Sequence, residues 1–128
     1  MKNISKLCLA FVLALSTMIF NSCKEDEEYY IKYELHTSSK YGFSEVDAQF
    51  TTEGGSQVTS IPRNWTATFG PFKKGNYVCL IVRIKESNKF SSYVFKGKIS
   101  ESIGNSPFVT KVEKSNSGVL ALEYIVGS

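Results

Sequence analysis

Apolar and polar residues alternate with a period of two in stretch after stretch of this chain, and no stretch of ten residues repeats with the period of an amphipathic helix. Tyr29, Ile31, Tyr33 and Leu35 alternate with Tyr30, Lys32, Glu34 and His36, which places the two sets on opposite faces of a first strand. Val46, Ala48 and Phe50 alternate with Glu45, Asp47, Gln49 and Thr51, a second strand with one wet face. Glu53-Gly54-Gly55-Ser56 is a turn signal, and residues 57–61 form a short return. After the break at Pro62-Arg63-Asn64, Trp65, Ala67 and Phe69 alternate with Thr66 and Thr68. Phe72 then sits in a turn between Gly70-Pro71 and Lys73-Lys74-Gly75-Asn76. Residues 77–85 begin apolar on both sides, as in a central strand covered on two faces. Residues 91–100 make another strand, where Gly97 marks a bulge or a close approach. A weaker strand follows at 108–113, and residues 118–126 close the chain with Leu120, Leu122, Tyr124 and Val126 on one face. Seven to eight short strands separated by Gly, Pro, Asn and Ser predict an all-β domain over 29–128. The expected form is an antiparallel, immunoglobulin-like β-sandwich, with a small barrel as the alternative.

Such a domain must hold by packing. Of the three cysteines, Cys8 and Cys23 lie in the N-terminal segment, and Cys79 stands in Tyr77-Val78-Cys79-Leu80-Ile81-Val82. That setting suits a small buried hydrophobe better than a reactive thiolate, and it leaves no intramolecular disulfide. Fifteen of the seventeen aromatic residues follow Phe20; each buries about 150–250 Å², a generous core supply. From Tyr29 onward the net charge is +4, with Lys and Arg scattered apart from Lys73-Lys74. No basic stripe points to nucleic acid.

Motifs for chemistry are missing. His36, the sole histidine, falls on the polar side of the first strand, and no Gly-x-Ser-x-Gly elbow presents a serine to it. One histidine and one buried cysteine do not make a zinc set. Glu45, Asp47, Glu53, Glu86, Glu101, Glu113 and Glu123 could work as a glycosidase pair only if the fold brought two of them across a cleft. The expectation is a protein without catalytic residues, cofactor or metal. Recognition then falls to aromatic residues in loops, which can stack on a sugar or anchor a protein contact. Tyr41 and Phe43 flank Gly42 between two strands, and Phe90 ends Glu86-Ser87-Asn88-Lys89-Phe90. The Tyr41–Phe43 loop is the first candidate for a binding edge. The competing expectation is that each ring folds down as a cap, and Trp65 is expected in the core.

Ahead of the domain, Lys2 and Lys6 precede an apolar run from Leu7 to Phe20. The run is too short for the ~20 residues of a spanning helix and has the length of a signal-peptide core. It ends at Phe20-Asn21-Ser22-Cys23, and a small residue directly before a cysteine resembles the lipobox of bacterial lipoproteins. Leu, Ile or Val and a small residue are commoner in that family where Phe20 and Asn21 stand. The resemblance implies a signal peptide over 1–22 and lipidation of Cys23, with the membrane as a partner through the anchor. Lys24-Glu25-Asp26-Glu27-Glu28 resembles the export signal of Bacteroidota-type surface lipoproteins, which implies the outer face of the outer membrane; the alternative location is its periplasmic face.

A second resemblance runs through Ile31-Lys32-Tyr33-Glu34-Leu35, Gly54-Gly55-Ser56-Gln57, Pro62 with Trp65-Thr66, and Phe95-Lys96-Gly97-Lys98-Ile99. In that order these segments are similar to the mycobacterial small membrane protein (MmpS) family, which implies a membrane-tethered β-sandwich assisting an export transporter. Arg63-Asn64 separate Pro62 from Trp65, which are adjacent in that family, and its paired cysteines are missing. Two functions are expected from these readings. One is a surface module binding glycan or protein through its loops. The other is a periplasm-facing accessory subunit of an envelope transport complex.

Overall fold

A computed structural model of the protein describes residues 27–89 and 91–128. Residues 1–22, where a signal peptide is expected, and Cys23, Lys24, Glu25, Asp26 and Phe90 lie outside the described residues. Eight strands follow one another: β1 (Tyr29–Ser39), β2 (Glu45–Thr52), β3 (Gly55–Pro62), β4 (Trp65–Phe72), β5 (Tyr77–Arg83), β6 (Tyr93–Ile103), β7 (Val109–Asn116) and β8 (Leu120–Ile125). A single 3-10 turn, Glu86–Asn88, interrupts the β5–β6 connection.

The strands form two four-stranded antiparallel sheets, β4-β1-β6-β7 and β3-β2-β5-β8. Inward residues of both sheets make one core: Ile31, Tyr33 and Leu35 of β1 and Phe95 and Ile99 of β6 meet Val46, Ala48, Phe50, Val78, Leu80, Val82, Leu120 and Leu122. The period-two expectation for β1, β2 and β8 is therefore borne out. Among the described residues the core spans 29–126.

The all-β sandwich is as expected, and its neighbour relations differ from those of constant-type immunoglobulin domains. In constant-type immunoglobulin domains the first two strands lie in one sheet; here β1 and β2 lie in opposite sheets. β2–β3 is a hairpin nested inside the β1–β4 pair, and β6–β7 is a hairpin nested inside the β5–β8 pair. Adding four to each strand number turns one sheet into the other. Relabelled cyclically, this is the strand order of an eight-stranded jelly roll, whose two Greek keys interlock. The physical reason is that residues 40–44 carry the chain from one sheet to the other rather than closing a hairpin between β1 and β2.

Two local features follow from sequence. A Cβ on Gly97 of β6 would lie 2.7 Å from Leu120 Cδ2 and 2.9 Å from Leu122 Cδ1. Gly97 is thus a close approach; the bulge lies two residues on, between Ile99 and Ser100. In β4 the pairing with β1 slips between Tyr29 and Ile31, and Gly70-Pro71 supply the extra residue. Gly70 has φ 147°, and a Cβ there would meet Tyr30 Cδ1 at 2.7 Å.

Candidate functional site

Register fixes which loops share an end. Tyr29 pairs with both Phe72 and Ile103, and Tyr77 pairs with Ile125, so the chain enters the domain beside the β4–β5 and β6–β7 turns. Glu28 anchors this entry: its carbonyl accepts from the Gly104 N–H at 2.8 Å. Tyr29 Oη donates to Glu27 Oε2 at 2.9 Å, and Tyr30 Oη donates to Glu28 Oε2 at 3.1 Å. These carboxylates hold both phenols above the ordinary tyrosine value of 10.0. The last two residues of the expected export signal are thereby tied to the domain, while Lys24, Glu25 and Asp26 lie outside the described residues.

The opposite, distal end gathers residues 40–44, Arg63-Asn64 and the long 84–92 connection. Thr37 organises it: its Oγ1 donates to Arg63 O at 2.6 Å, and its N–H donates to Asn64 Oδ1 at 3.1 Å. Arg63 answers by donating from Nη2 to Thr37 O at 3.0 Å and from its N–H to Ser44 O at 3.1 Å. Its guanidinium carbon stands 5.3 Å from the centre of the Phe43 ring, a cation–π contact. Ser39 Oγ donates to Ser92 O at 2.8 Å and accepts the Tyr41 N–H at 3.2 Å, joining the β1–β2 loop to the long connection.

The three aromatic candidates separate. Phe43 is only 7% exposed and packs edge-on to Tyr93 at 6.4 Å, so it caps the sandwich and offers only a margin of its ring to solvent. The ring takes the capping position because burial under Arg63 outweighs exposure for so large an apolar group. Tyr41 is 60% exposed and projects from the loop. Phe90 lies outside the described residues. Trp65 stacks on Tyr33, with ring planes 9° apart, and meets Phe50 at 5.0 Å with the rings tilted by 46°; it is half-buried and packs against the core.

Two open depressions lie at this end. One, of about 530 Å³, is lined by Gly42, Phe43, Ser44, Glu45, Lys85, Ser87 and Asn88. The other, of about 340 Å³, is lined by Ser38, Ser39, Lys40, Ser92, Tyr93 and Val94. Hydroxyl and charged groups line both, and the loop that carries Tyr41 gives Lys40 to the second and Gly42, Phe43 and Ser44 to the first.

Acidic side chains elsewhere are held in structural bonds. Asp47 Oδ1 pairs with Lys85 Nζ at 3.1 Å, Glu53 Oε2 accepts the Gly70 N–H at 3.1 Å, and Glu113 pairs with Lys96 at 3.3 Å. His36 is exposed on the outer face of β1. Among the described residues no group of three or more His, Cys, Asp or Glu could hold a metal ion.

Glu101 is the most buried carboxylate described, at 4% exposure, and it faces inward on β6. Its Oε1 accepts the Gly127 N–H at 2.7 Å; its Oε2 accepts a short bond from Tyr124 Oη and lies 4.0 Å from Lys111 Nζ. Burial first, and then this bond, push the Tyr124 phenol up to about 12. The cluster pins β7, β8 and the C-terminus to β6. Its sequence signal is parity: Phe95, Gly97, Ile99 and Glu101 share one face, so a charge follows an apolar row. Arg63 had no such signal, since its role depends on a turn meeting two distant loops. Set against known proteins, the chain matches no protein-family model, no curated protein and no solved structure.

Proposed function

We propose that this chain is a lipid-anchored protein of a bacterial envelope, with a non-catalytic binding surface on the loops farthest from the anchor. In this reading residues 1–22 are removed as a signal peptide, Cys23 carries the acyl chains, and Lys24 to Glu28 direct the protein to the outer face of the outer membrane. The observation that carries it is the polarity of β1. The chain enters at Tyr29 and Tyr41 projects just beyond Ser39, and eleven strand residues at ~3.3 Å each hold the two about 35 Å apart. A tether at one end and an exposed aromatic at the other is the arrangement a surface receptor requires. The serines, Asn88, Glu45 and Lys85 that line the two depressions, to which the chain neighbours of Tyr41 contribute, favour a glycan as ligand: the exposed ring offers a face for a sugar, and the side chains offer partners for its hydroxyls. The engagement of Asp47, Glu53, Glu101 and Glu113 in structural bonds supports the non-catalytic part.

The test has two stages. Mass spectrometry of the envelope protein is expected to find acylated Cys23 as the first residue; an unmodified chain overturns the anchor. Protease added to intact cells is expected to remove the domain. If digestion requires permeabilised outer membranes, the surface location fails and the periplasmic accessory role takes its place.

A further inference from the structure

Among the described residues β3 has a row of backbone groups without a strand partner, and of the usual safeguards against pairing it carries only a proline at its last position, Pro62. Its one neighbour among the described strands is β2. Gln57, Thr59 and Ile61 pair with Phe50, Ala48 and Val46, and one step further the Arg63 N–H donates to Ser44 O at 3.1 Å. Bonded pairs alternate along an antiparallel ladder, so the odd-numbered residues bond to β2, and Ser56, Val58 and Ser60 turn their N–H and C=O groups outward. Pro62 falls in the same outward row, where its missing N–H breaks no ladder bond. The side chains of Ser56 and Ser60 are drawn back toward the sheet: Gln49 Nε2 donates to Ser56 Oγ at 3.2 Å and Lys85 Nζ donates to Ser60 Oγ at 2.5 Å. Val58, at the centre, is 78% exposed.

The other edges are protected. β4 is broken by the bulge at Gly70-Pro71, β7 carries Lys111, Glu113, Lys114 and a register shift, and β8 is six residues long and carries Glu123. Residues 54–62 contain no charged side chain at all.

We propose that β3 pairs antiparallel with β3 of a second copy of this chain, centred on Val58. The occupant follows from self-complementarity. With Val58 opposite Val58 of the second copy, Ser56 meets Ser60 in both directions, so the outward row of one edge matches the outward row of the other. A β-branched pair then covers the exposed Val58 side chain, and no like charges oppose each other. Two short edges bury an area at the low end of specific interfaces, so the equilibrium lies roughly in the micromolar range rather than the nanomolar. Antiparallel pairing also points the two Glu27 ends in opposite directions. Under the anchoring reading above, and only there, that geometry joins copies on facing membranes.

The test uses residues 27–128, which contain every core residue described. Sedimentation equilibrium is expected to show a monomer–dimer equilibrium that Val58→Lys abolishes. The fold should survive this change, because the side chain is exposed; an unchanged circular dichroism melt confirms that. Oxidation of Val58→Cys is expected to give a disulfide-linked dimer. Ser56→Cys is expected to give none, since in this register the two copies of residue 56 stand roughly 13 Å apart, beyond the ~7 Å limit for a disulfide. Buried Cys79 supplies no background. A monomer at all concentrations, a dimer that persists in Val58→Lys, or equal cross-linking from both cysteines overturns the proposal.

Discussion

Replacing Tyr124 by Phe removes one hydroxyl from the interior and tests the Glu101 cluster directly. The lost bond is charge-assisted, and such bonds contribute about 1.5–3 kcal/mol. The carboxylate keeps the Gly127 N–H at 2.7 Å and the more distant Lys111 ammonium at 4.0 Å. With an unfolding entropy of about 0.2 kcal/mol/K for a domain of roughly 100 residues, Tm should fall by about 7–14 °C. Glu101→Gln should cost less. Its amide oxygen can accept from Gly127, and its NH₂ can donate to Tyr124 Oη, whose own hydrogen can then turn to Ser128 O, already 3.3 Å away. What that variant loses is mainly the pairing with part-exposed Lys111, worth about 1 kcal/mol or less. The pH dependence supplies a second reading. The folded state holds the Tyr124 proton more tightly than the unfolded chain, with a value of about 12 against the ordinary 10.0. That contribution is complete below pH 10 and is lost as pH rises from 10 toward 12, on the order of 2 kcal/mol. Tyr33, pushed up mainly by burial, adds to the alkaline loss in both proteins. Thermal melts followed by circular dichroism between pH 7 and 11 should show a shallower alkaline decline for Tyr124→Phe. A Tm within about 2 °C of the unmodified protein at pH 7 would refute the reasoning, as would Glu101→Gln proving the more harmful substitution.

Three further outcomes are expected. Gly97→Ala drives a methyl into Leu120 and Leu122, so urea denaturation should show a midpoint lowered by about 1–3 kcal/mol of stability at unchanged m-value. Arg63→Ala removes the bond to Thr37 O and the contact over Phe43; a loss of about 1–2 kcal/mol should accompany faster amide exchange in residues 40–44 and 91–93, with β8 unaffected. Tyr41→Ala should leave Tm within about 2 °C, because the ring is exposed, while abolishing retention of the protein on any immobilised glycan it binds.

Strand content was legible because burial on one face of a strand writes a period of two into the residues themselves. Tyr29 to Leu35, Val46 to Phe50 and Leu120 to Val126 carry that pattern, and each forms a strand with those side chains inside. Strand ends were less legible. β1 runs on to Ser39 and β6 to Ile103, because Thr37 and Glu101 occupy inward positions with polar side chains whose partners, Arg63 and Asn64 for one and Tyr124 and Gly127 for the other, are distant in sequence. Strand order was not legible at all. The alternation in β1 reads the same whether its neighbours are β2 or β4 and β6, since each choice buries the same face.

The candidate site divides along the same line. That residues 40–44 form a loop is a local property, visible in Gly42 and the break in alternation, and so the position of an aromatic-bearing loop could be anticipated. Which ring stays outside is not local. Tyr41 and Phe43 are two residues apart and, by pattern alone, equivalent. They differ because Arg63, brought in by the β3–β4 turn, and Tyr93, at the start of β6, close over Phe43, and among the described residues nothing comparable reaches Tyr41. Phe43 then fixes the loop that presents Tyr41, as a large buried ring anchors a short segment against solvent. A loop whose second aromatic is its own anchor can hold the first in one place at little entropic cost on binding. Loosening Phe43 by Arg63→Ala should therefore weaken ligand retention even though Arg63 need not touch the ligand, and it should do so without removing the Tyr41 ring. If Arg63→Ala binds as well as the unmodified protein while its loop exchanges faster, presentation by a fixed loop is not what the distal end provides.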